Sequence, residues 1–358
     1  MNKVKQIIIG PAPPPVGGVS VSVMNLARLF DNFNLDYLLF STSRRQQMEN
    51  LYAKKSISQY LSTITILLSF IRFLLKNPDG KTCHLFVVSN SAFIRDLLLL
   101  VTLKLFKKKV IVHLHSKIEG EIFVTKRFIC FFGRCLSLAE TVLVLSEKHK
   151  GYFSKYIDTN IDILENFVFN DKCSEVVSRN DEWLYVGRLS EMKGFWDLLN
   201  AVNLCVNQYG YKDLVVNCLG LAETTAEKVK IEEYVAINGI GKNIVLHGMI
   251  TGEEKQIFFR GGKGLIFPSH FENSPIVLKE AISAGMPVIS SNIEANTYIL
   301  ERSGNAIFFK SRDVSSLAET IAVMTEDLGK VASLTECAKS AFKYDEDYAL
   351  NLIERVVV

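Results

Sequence analysis

Four charged residues in the second half of the chain have the types and spacing to hold a phosphate-bearing ligand. Arg188 and Lys193 fall within WLYVGRLSEMKG (183–194), where an apolar run ends at Gly187, Arg188 follows directly and Lys193 opens the next helix. Two cations at the mouth of a strand–turn–helix unit can converge on one diphosphate. The arginine fork chelates two oxygens, and the lysine adds a point charge. Alone, such a pair reads as two solvated surface cations. Its place between a strand and Gly194 favours the ligand.

Glu272 and Glu280 fall within FPSHFENSPIVLKEAISAGMPVI (267–289). Ser274 followed by Pro275 has the pattern of an N-cap with proline at the first helical position. Gly285 and Pro287 end that helix. Glu272 and Asn273 then belong to the loop before it, and Glu280 lies about two turns inside it. The backbone N–H groups of Ile276 and Val277 are free at the helix start, where the dipole favours an anion. A single helix-face glutamate is ordinarily solvated. Two of them around a capped helix start, downstream of a cation pair, make that ordinary reading a poor one here.

The first half offers weaker signals. GPAPPPVGG (10–18) joins a short apolar run to a helical pattern, and Gly17 and Gly18 would let backbone approach an anion closely. It is not a GxGxxG, so a dinucleotide site is disfavoured. A plain strand–helix turn remains the alternative. His113 and His115 end a strand-like run in VIVHLHSKIEG (110–120). His115, at the start of the loop, is the candidate for a site, and His113 reads as structural. A hydrogen-bonded structural role is the alternative for His115 too. Asp345-Glu346-Asp347 spells a DxD, but it precedes a helical pattern whose dipole it suits. No metal or other cofactor is expected.

These residues need a frame. In the first half, strand-like runs at 5–9, 37–40, 82–88, 110–113 and 141–145 alternate with helical patterns at 19–30, 56–76, 91–106, 126–137 and 147–155. That alternation predicts a doubly wound parallel sheet. A polar, aperiodic stretch follows, and the alternation restarts at Trp183 and continues to the strand Pro287–Ser290. Residues 345–356 carry a terminal amphipathic helix. The expected domains are 1–166, a linker over 167–182, a second domain over 183–340, and a tail over 341–358 returning to the first domain. Two such units in series imply two Rossmann-like domains with a ligand cleft between two sheets.

Composition bounds the rest. A chain of 358 residues is long enough for two cores, and 48% hydrophobic against 22% charged residues is globular. A net charge of +3 is too small to imply nucleic acid. The seven cysteines form no CxxC pair and no cluster with histidine, so they read as reduced thiols. The three apolar residues of MNKVKQIIIG fall short of the roughly 7–15 of a secretory leader. Ile64–Leu75 and Leu97–Phe106 are strongly apolar, but each is shorter than the roughly 20 residues of a spanning helix. Basic residues lie within or beside them, among them Arg72, Lys76 and Lys104. Lys107–Lys109 are expected to stay exposed, and an anionic membrane surface is a candidate partner.

Taken together, the second half resembles the family 4 retaining glycosyltransferases. The residues that carry the likeness are GRLSEMKG (187–194), LHGMITGEE (246–254), and the E-x7-E of ENSPIVLKE (272–280) followed by AISAGMPVI. The Gly17-Gly18 loop, HLHS (113–116) and ENFVF (165–169) extend it more loosely into the first half. The resemblance implies the α/β GT-B fold, with two Rossmann-like doubly wound domains facing across a cleft and the N-terminal one binding acceptor. It implies a UDP- or GDP-sugar donor and a glycan or lipid-linked acceptor, in cell-surface polysaccharide synthesis at the cytoplasmic face of the membrane. Arg188 and Lys193 would hold the diphosphate, Glu280 the ribose, Glu272 the transferred sugar, and Ile276 and Val277 would donate backbone hydrogen bonds. Gly18 would contact phosphate, and His115 the reacting end of the donor or acceptor. The family usually has Glu-Gly where this chain has Glu272-Asn273; a left-handed Asn273 would preserve the turn. A nucleotide-sugar 2-epimerase of the same architecture and a non-catalytic degenerate transferase are the competing readings. The first lacks visible carboxylates for proton abstraction, and the second is opposed by the intact charged set.

Overall fold

The computed structural model describes residues 5–13, 17–43, 58–88, 92–116, 126–169, 179–341 and 345–357. The chain divides into two compact units, Met1–Phe169 with Tyr344–Val358, and Asn170–Lys343.

The first unit contains β1 (Gln6–Gly10), α1 (Gly18–Asn32), β2 (Tyr37–Ser41), α2 (Ser58–Lys76), β3 (Thr82–Val87), α3 (Phe93–Leu105), β4 (Lys109–Leu114), α4 (Lys126–Leu136), β5 (Thr141–Val144), α5 (Glu147–Phe153) and β6 (Asn160–Ile163). Its six strands form one parallel sheet in the order β2-β1-β3-β4-β5-β6. Successive side chains of a strand point to opposite faces, and the core follows that rule. Ile7, Ile9, Leu85, Val87, Val110 and Val112 join one cluster with residues of α2, α3 and α4. Ile8, Phe86, Ile111 and Leu143 join a second cluster on the other face with α1. The terminal helix α13 (Glu346–Val357) contributes Ala349, Leu352, Ile353 and Val356 to that second cluster. Asp345 caps it by accepting from Tyr348 N at 3.0 Å.

The second unit contains β7 (Trp183–Val186), α6 (Phe195–Asn207), β8 (Val216–Leu219), α7 (Thr225–Ile237), β9 (Ile244–Gly248), α8 (Gly252–Gly261), β10 (Gly264–Phe267), α9 (Ile276–Ser283), β11 (Val288–Ser291), α10 (Glu294–Ser303), β12 (Ala306–Phe309), α11 (Val314–Glu326) and α12 (Leu328–Ala341). Its parallel sheet runs β12-β11-β10-β7-β8-β9. Each sheet therefore has a point where the winding reverses, between β1 and β3 in the first unit and between β7 and β10 in the second. Ligands of open parallel sheets bind outside the strand C-termini at such points.

The sequence expectations need several corrections. Of the stretch expected as a linker, residues 170–178 lie outside the described residues, and its two described ends belong to the units they adjoin. Phe167 and Val168 are buried, Phe167 in the core of the first unit, and Arg179 is sewn to the second. Its guanidinium donates to the carbonyls of Phe259, Gly262, Ala284 and Gly285 at 2.8–3.1 Å. Lys193 does not open a helix: it ends a 3-10 turn, Glu191–Lys193, and α6 starts after Gly194. Gly194 has φ +66°, and a Cβ there would lie 2.0 Å from the Pro268 carbonyl oxygen, so only glycine lets these two loops touch. Pro275, with ψ 115°, stands in the N-cap position, and α9 starts at Ile276 rather than Pro275. Asn273 is absent from the non-glycine residues with positive φ, which are Asn34, Lys107 and Arg312, so the turn forms without a left-handed residue. Nor do Lys107–Lys109 all project outward. Lys108 is buried with its ammonium on the Pro78 carbonyl, and Lys109 donates to the Val357 carbonyl.

Candidate functional site

In the second unit the loops after β7 and β10 flank the reversal of the sheet, and they carry most of the candidate residues. β7 is buried throughout, so the chain emerges at Gly187 with Arg188 as the first side chain free to turn outward. The buried Tyr185 fastens this loop: its hydroxyl donates to the Arg188 carbonyl at 2.6 Å and lies 3.5 Å from that of Lys193. Burial raises the Tyr185 phenol well above its ordinary range, so it stays a donor. Gly220, after β8, packs so closely that a Cβ would meet the Gly187 carbonyl at 1.8 Å. The two cation-bearing carbonyls are thus held by one side chain and backed by a third loop.

Each cation has a carboxylate partner. Lys193 Nζ lies 2.6 Å from Glu272 Oε1, with the lysine side chain 24% and the glutamate 10% exposed. Ser269 donates to the same Glu272 oxygen at 2.8 Å. Arg188 pairs with Glu223, from the loop after β8, at 2.7 Å in a far more exposed position. Glu280 is gripped by Lys255 of α8, whose ammonium reaches both carboxylate oxygens at 2.7 Å. A phosphate ligand of Arg188 or Lys193 would therefore share its cation with a carboxylate already bound there.

The start of α9 completes this set. Ser274 is buried beside it, and no side chain caps the helix. The first N–H groups of a helix lack intrahelical acceptors, so those of Ile276 and Val277 are available to an anion. The loop is braced from behind by His270, which bonds Asp197 Oδ2 at 2.7 Å through Nε2 and donates its backbone N–H to the Met192 carbonyl. Asn273 lies half-buried in this loop, between Glu272 and Ser274.

The other candidates belong to the first unit, Gly17 and Gly18 after β1 at the reversal of its sheet and His115 after β4. Gly17 and Gly18 start α1. Gly17 has the extended φ of −155°, which any residue adopts, and its N–H is 2.7 Å from Ser20 Oγ. A Cβ on either glycine would meet nothing within 4 Å. Among the described residues, neither backbone strain nor packing demands glycine here. His115 follows β4, its N–H on the Val87 carbonyl and its ring stacked on Phe86 at 5.4 Å. Burial, with His149 nearby, lowers its pKa to about 4, so the imidazole is neutral at physiological pH. It borders a pocket with Ser22, Asn25, Glu165, Asn166 and Phe86. His113 is structural, 3.0 Å from His84 Nδ1 and stacked on Phe86.

Residues 171–341, just under half of the chain, match the family model of the glycosyl transferases group 1. Over those residues the chain is similar to the glycosyl transferases group 1. The matched stretch coincides with the second unit almost in full. Among curated proteins, an uncharacterized glycosyltransferase of Methanocaldococcus jannaschii is 25% identical over 146 residues, covering 41% of this chain and 36% of that protein. The capsular polysaccharide biosynthesis glycosyltransferase CapM of Staphylococcus aureus is 24% identical over 165 residues, covering 46% and 42%. The chain thus spans less than half the length of these relatives. Among solved structures, Anabaena Alr3699/HepE in complex with UDP-glucose superposes with a TM-score of 0.74 at 14% identity, covering 98% of this chain and 99% of that one. The fold is GT-B, built from two Rossmann-like units.

Sequence reasoning missed Lys255, Glu223, Ser269 and Tyr185 around the second unit's candidate site. LHGMITGEE ends one residue before Lys255, whose contact with Glu280 crosses from one helix to another. Glu223 and Ser269 carried no signal of their own, being common loop residues. Tyr185 sits inside a strand and reads as core.

Proposed function

We propose that the chain is a glycosyltransferase that moves a sugar from a UDP- or GDP-sugar to a glycan or lipid-linked acceptor with retention of configuration. The observation that carries the reading is the Lys193–Glu272 pair, which joins the loops after β7 and β10 at the reversal point of the sheet, just before the uncapped start of α9. In the proposed reaction the bond between the sugar's anomeric carbon and the diphosphate breaks, and the leaving nucleotide keeps the electron pair. Arg188, Lys193 and the N–H groups of Ile276 and Val277 stabilise that charge. The acceptor oxygen bonds to the anomeric carbon and loses its proton to the departing phosphate. Glu272 holds the sugar hydroxyls, Glu280 the ribose and Gly18 a phosphate, while neutral His115 contacts the reacting end. Two cations and a helix start would supply what a divalent metal supplies elsewhere, so the reading requires none.

The relatives give the biological setting its support. The name of CapM refers to capsular polysaccharide, and synthesis of a cell-surface polysaccharide on the cytoplasmic face of the membrane is the role we propose. The outer sides of α2 and α3 fit such a location. Ile64, Leu68 and Leu75 on α2 and Ile94, Leu98, Val101 and Leu105 on α3 are all exposed, and the last four fall on one helical stripe. Arg72, Lys76 and Lys107 are exposed among them. No helix among the described residues is long and apolar enough to cross a membrane. Contact would be peripheral, on anionic lipid.

Incubation with UDP- and GDP-sugars tests the reading through release of free nucleotide, with a dependence on added acceptor. An isomerised nucleotide sugar without release would identify an epimerase instead. No turnover and no nucleotide binding would leave a degenerate transferase. Co-sedimentation with anionic vesicles at low salt tests the membrane contact. Binding should fall when Arg72, Lys76 and Lys107 become glutamate, and protein remaining in the supernatant would remove it.

A further inference from the structure

Lys255 is the residue of the site for which the proposed reaction has no use. It lies on α8, and its ammonium bonds both oxygens of Glu280 at 2.7 Å. Both side chains are largely shielded, at 17% and 11% exposure. The lysine is also anchored one turn on, its ammonium 5.5 Å above the ring of the buried Phe259. A carboxylate with little access to water stays ionised and in one orientation only if a partner holds it there. An ionised carboxylate offers about four acceptor sites, two per oxygen. Lys255 engages each oxygen once, which leaves one acceptor site on each. Two oxygens fixed side by side, each with one free lone pair, match two neighbouring hydroxyls that donate in parallel. One hydroxyl leaves an oxygen unserved.

We propose that Lys255 is a positioning residue that turns Glu280 into a reader of the ribose cis-diol, so that the domain selects ribonucleoside over 2′-deoxyribonucleoside diphosphates. The inference rests on the proposed reading of Glu280 as the ribose ligand, and it adds the residue that orients it and the selectivity that follows. Lys255 acts through Glu280 and touches the nucleotide only by way of it. Without Lys255 the carboxylate is no longer held in one orientation and swings toward solvent, and the paired geometry is lost.

Calorimetry with UDP, GDP, their 2′-deoxy counterparts and inorganic pyrophosphate tests this on the intact chain. The wild type should prefer the ribonucleotide by about ten-fold or more, since a site built for a hydroxyl is left unpaired by its loss. In Lys255→Met the preference should shrink to within about two-fold, while pyrophosphate affinity changes little because the cation pair is untouched. In a Glu280→Gln background the same lysine change should leave the preference where it was, as expected of two residues acting as one unit. Lys255→Arg, which keeps the charge and the two-pronged contact, should retain most of the preference and serves if Lys255→Met fails to fold. An unchanged preference in Lys255→Met, or an equal effect with and without Glu280, overturns the proposal. Equal binding of ribo- and deoxyribonucleotide by the wild type overturns it too, while leaving the nucleotide-sugar reading intact. Failure of every nucleotide to bind refutes that reading itself.

Discussion

The ion pair between Lys193 and Glu272 makes a counter-intuitive result the sharpest test of the site. Glu272→Gln keeps the shape of the side chain and its contact with Ser269, but removes the negative charge 2.6 Å from the lysine ammonium. A phosphate oxygen taking another face of that ammonium would lie about 4.5 Å from the carboxylate, by the tetrahedral arrangement of its donors. Two unit charges at that distance repel by about 4 kcal/mol at an effective dielectric of about 20. The lysine is a quarter exposed, so solvent screening reduces this to about 1–2.5 kcal/mol. Nucleoside diphosphate should therefore bind Glu272→Gln roughly five- to seventy-fold more tightly than wild type. Transfer should fall at the same time, because an amide holds the sugar hydroxyls less strongly than a carboxylate. Calorimetry with UDP or GDP measures the first effect, and acceptor-dependent nucleotide release the second. Weaker nucleotide binding in Glu272→Gln would mean that the carboxylate assists the diphosphate, and the charge argument would be refuted.

Arg188→Ala and Lys193→Ala should each weaken nucleotide binding by about 1.5–3 kcal/mol, the worth of a charged hydrogen bond. Lys193→Ala should also lower the melting temperature, because it strands the shielded Glu272, whereas the exposed Arg188–Glu223 pair should cost little; equal melting shifts would contradict that ranking. Turnover should persist in a chelator, since the site's carboxylates are held by lysines and no three ligand-type side chains cluster among the described residues; activity lost to EDTA and restored by Mg²⁺ or Mn²⁺ would count against it. Acid should destabilise the first unit. Burial lowers His84 to about 3 and His115 and His149 to about 4, so the unfolded chain binds more protons below its own value near 6.5. Their contribution is complete above about pH 6.5 and is lost as pH falls toward 4, while Asp96, raised to about 6 by burial, works the other way. Melting curves from pH 7 to 4 should show a net fall, and a flat profile would dispute the burial of these imidazoles. Ile353→Ala should cost about 2–4 kcal/mol in denaturant unfolding of the first unit, because α13 is part of its core; an unchanged midpoint would mean that the helix is dispensable.

Much of this molecule was legible because the signals are local. The apolar run that starts at Trp183 and ends before Gly187 is β7, and Gly285 with Pro287 ends α9 where expected. The candidate residues of the second unit were legible because they lie in two short segments, each read within one strand–loop–helix step. The short β6 and the run from α10 to α12 went unread. Asn160–Ile163 alternates two polar with two apolar residues, too few to rise above its surroundings, and the later segments hold no chemistry-bearing motif to draw attention.

The sequence by itself determined residue types, their spacing and the side of the chain on which each would emerge, since backbone periodicity and cap chemistry depend on near neighbours. Which charges meet was decided only by the tertiary structure. Lys193 finds Glu272 because β7 lies beside β10, and strand order is a property of the whole sheet. Lys255 finds Glu280 because α8 and α9 flank β10, and no local pattern encodes that approach. Lys108 shows the same limit in the other direction. Three consecutive lysines read as a solvated run, yet Lys107 takes a positive φ that turns the chain, and Lys108 ends buried on the Pro78 carbonyl. A charge is solvated or buried according to what the fold brings against it, and that information lies tens of residues away.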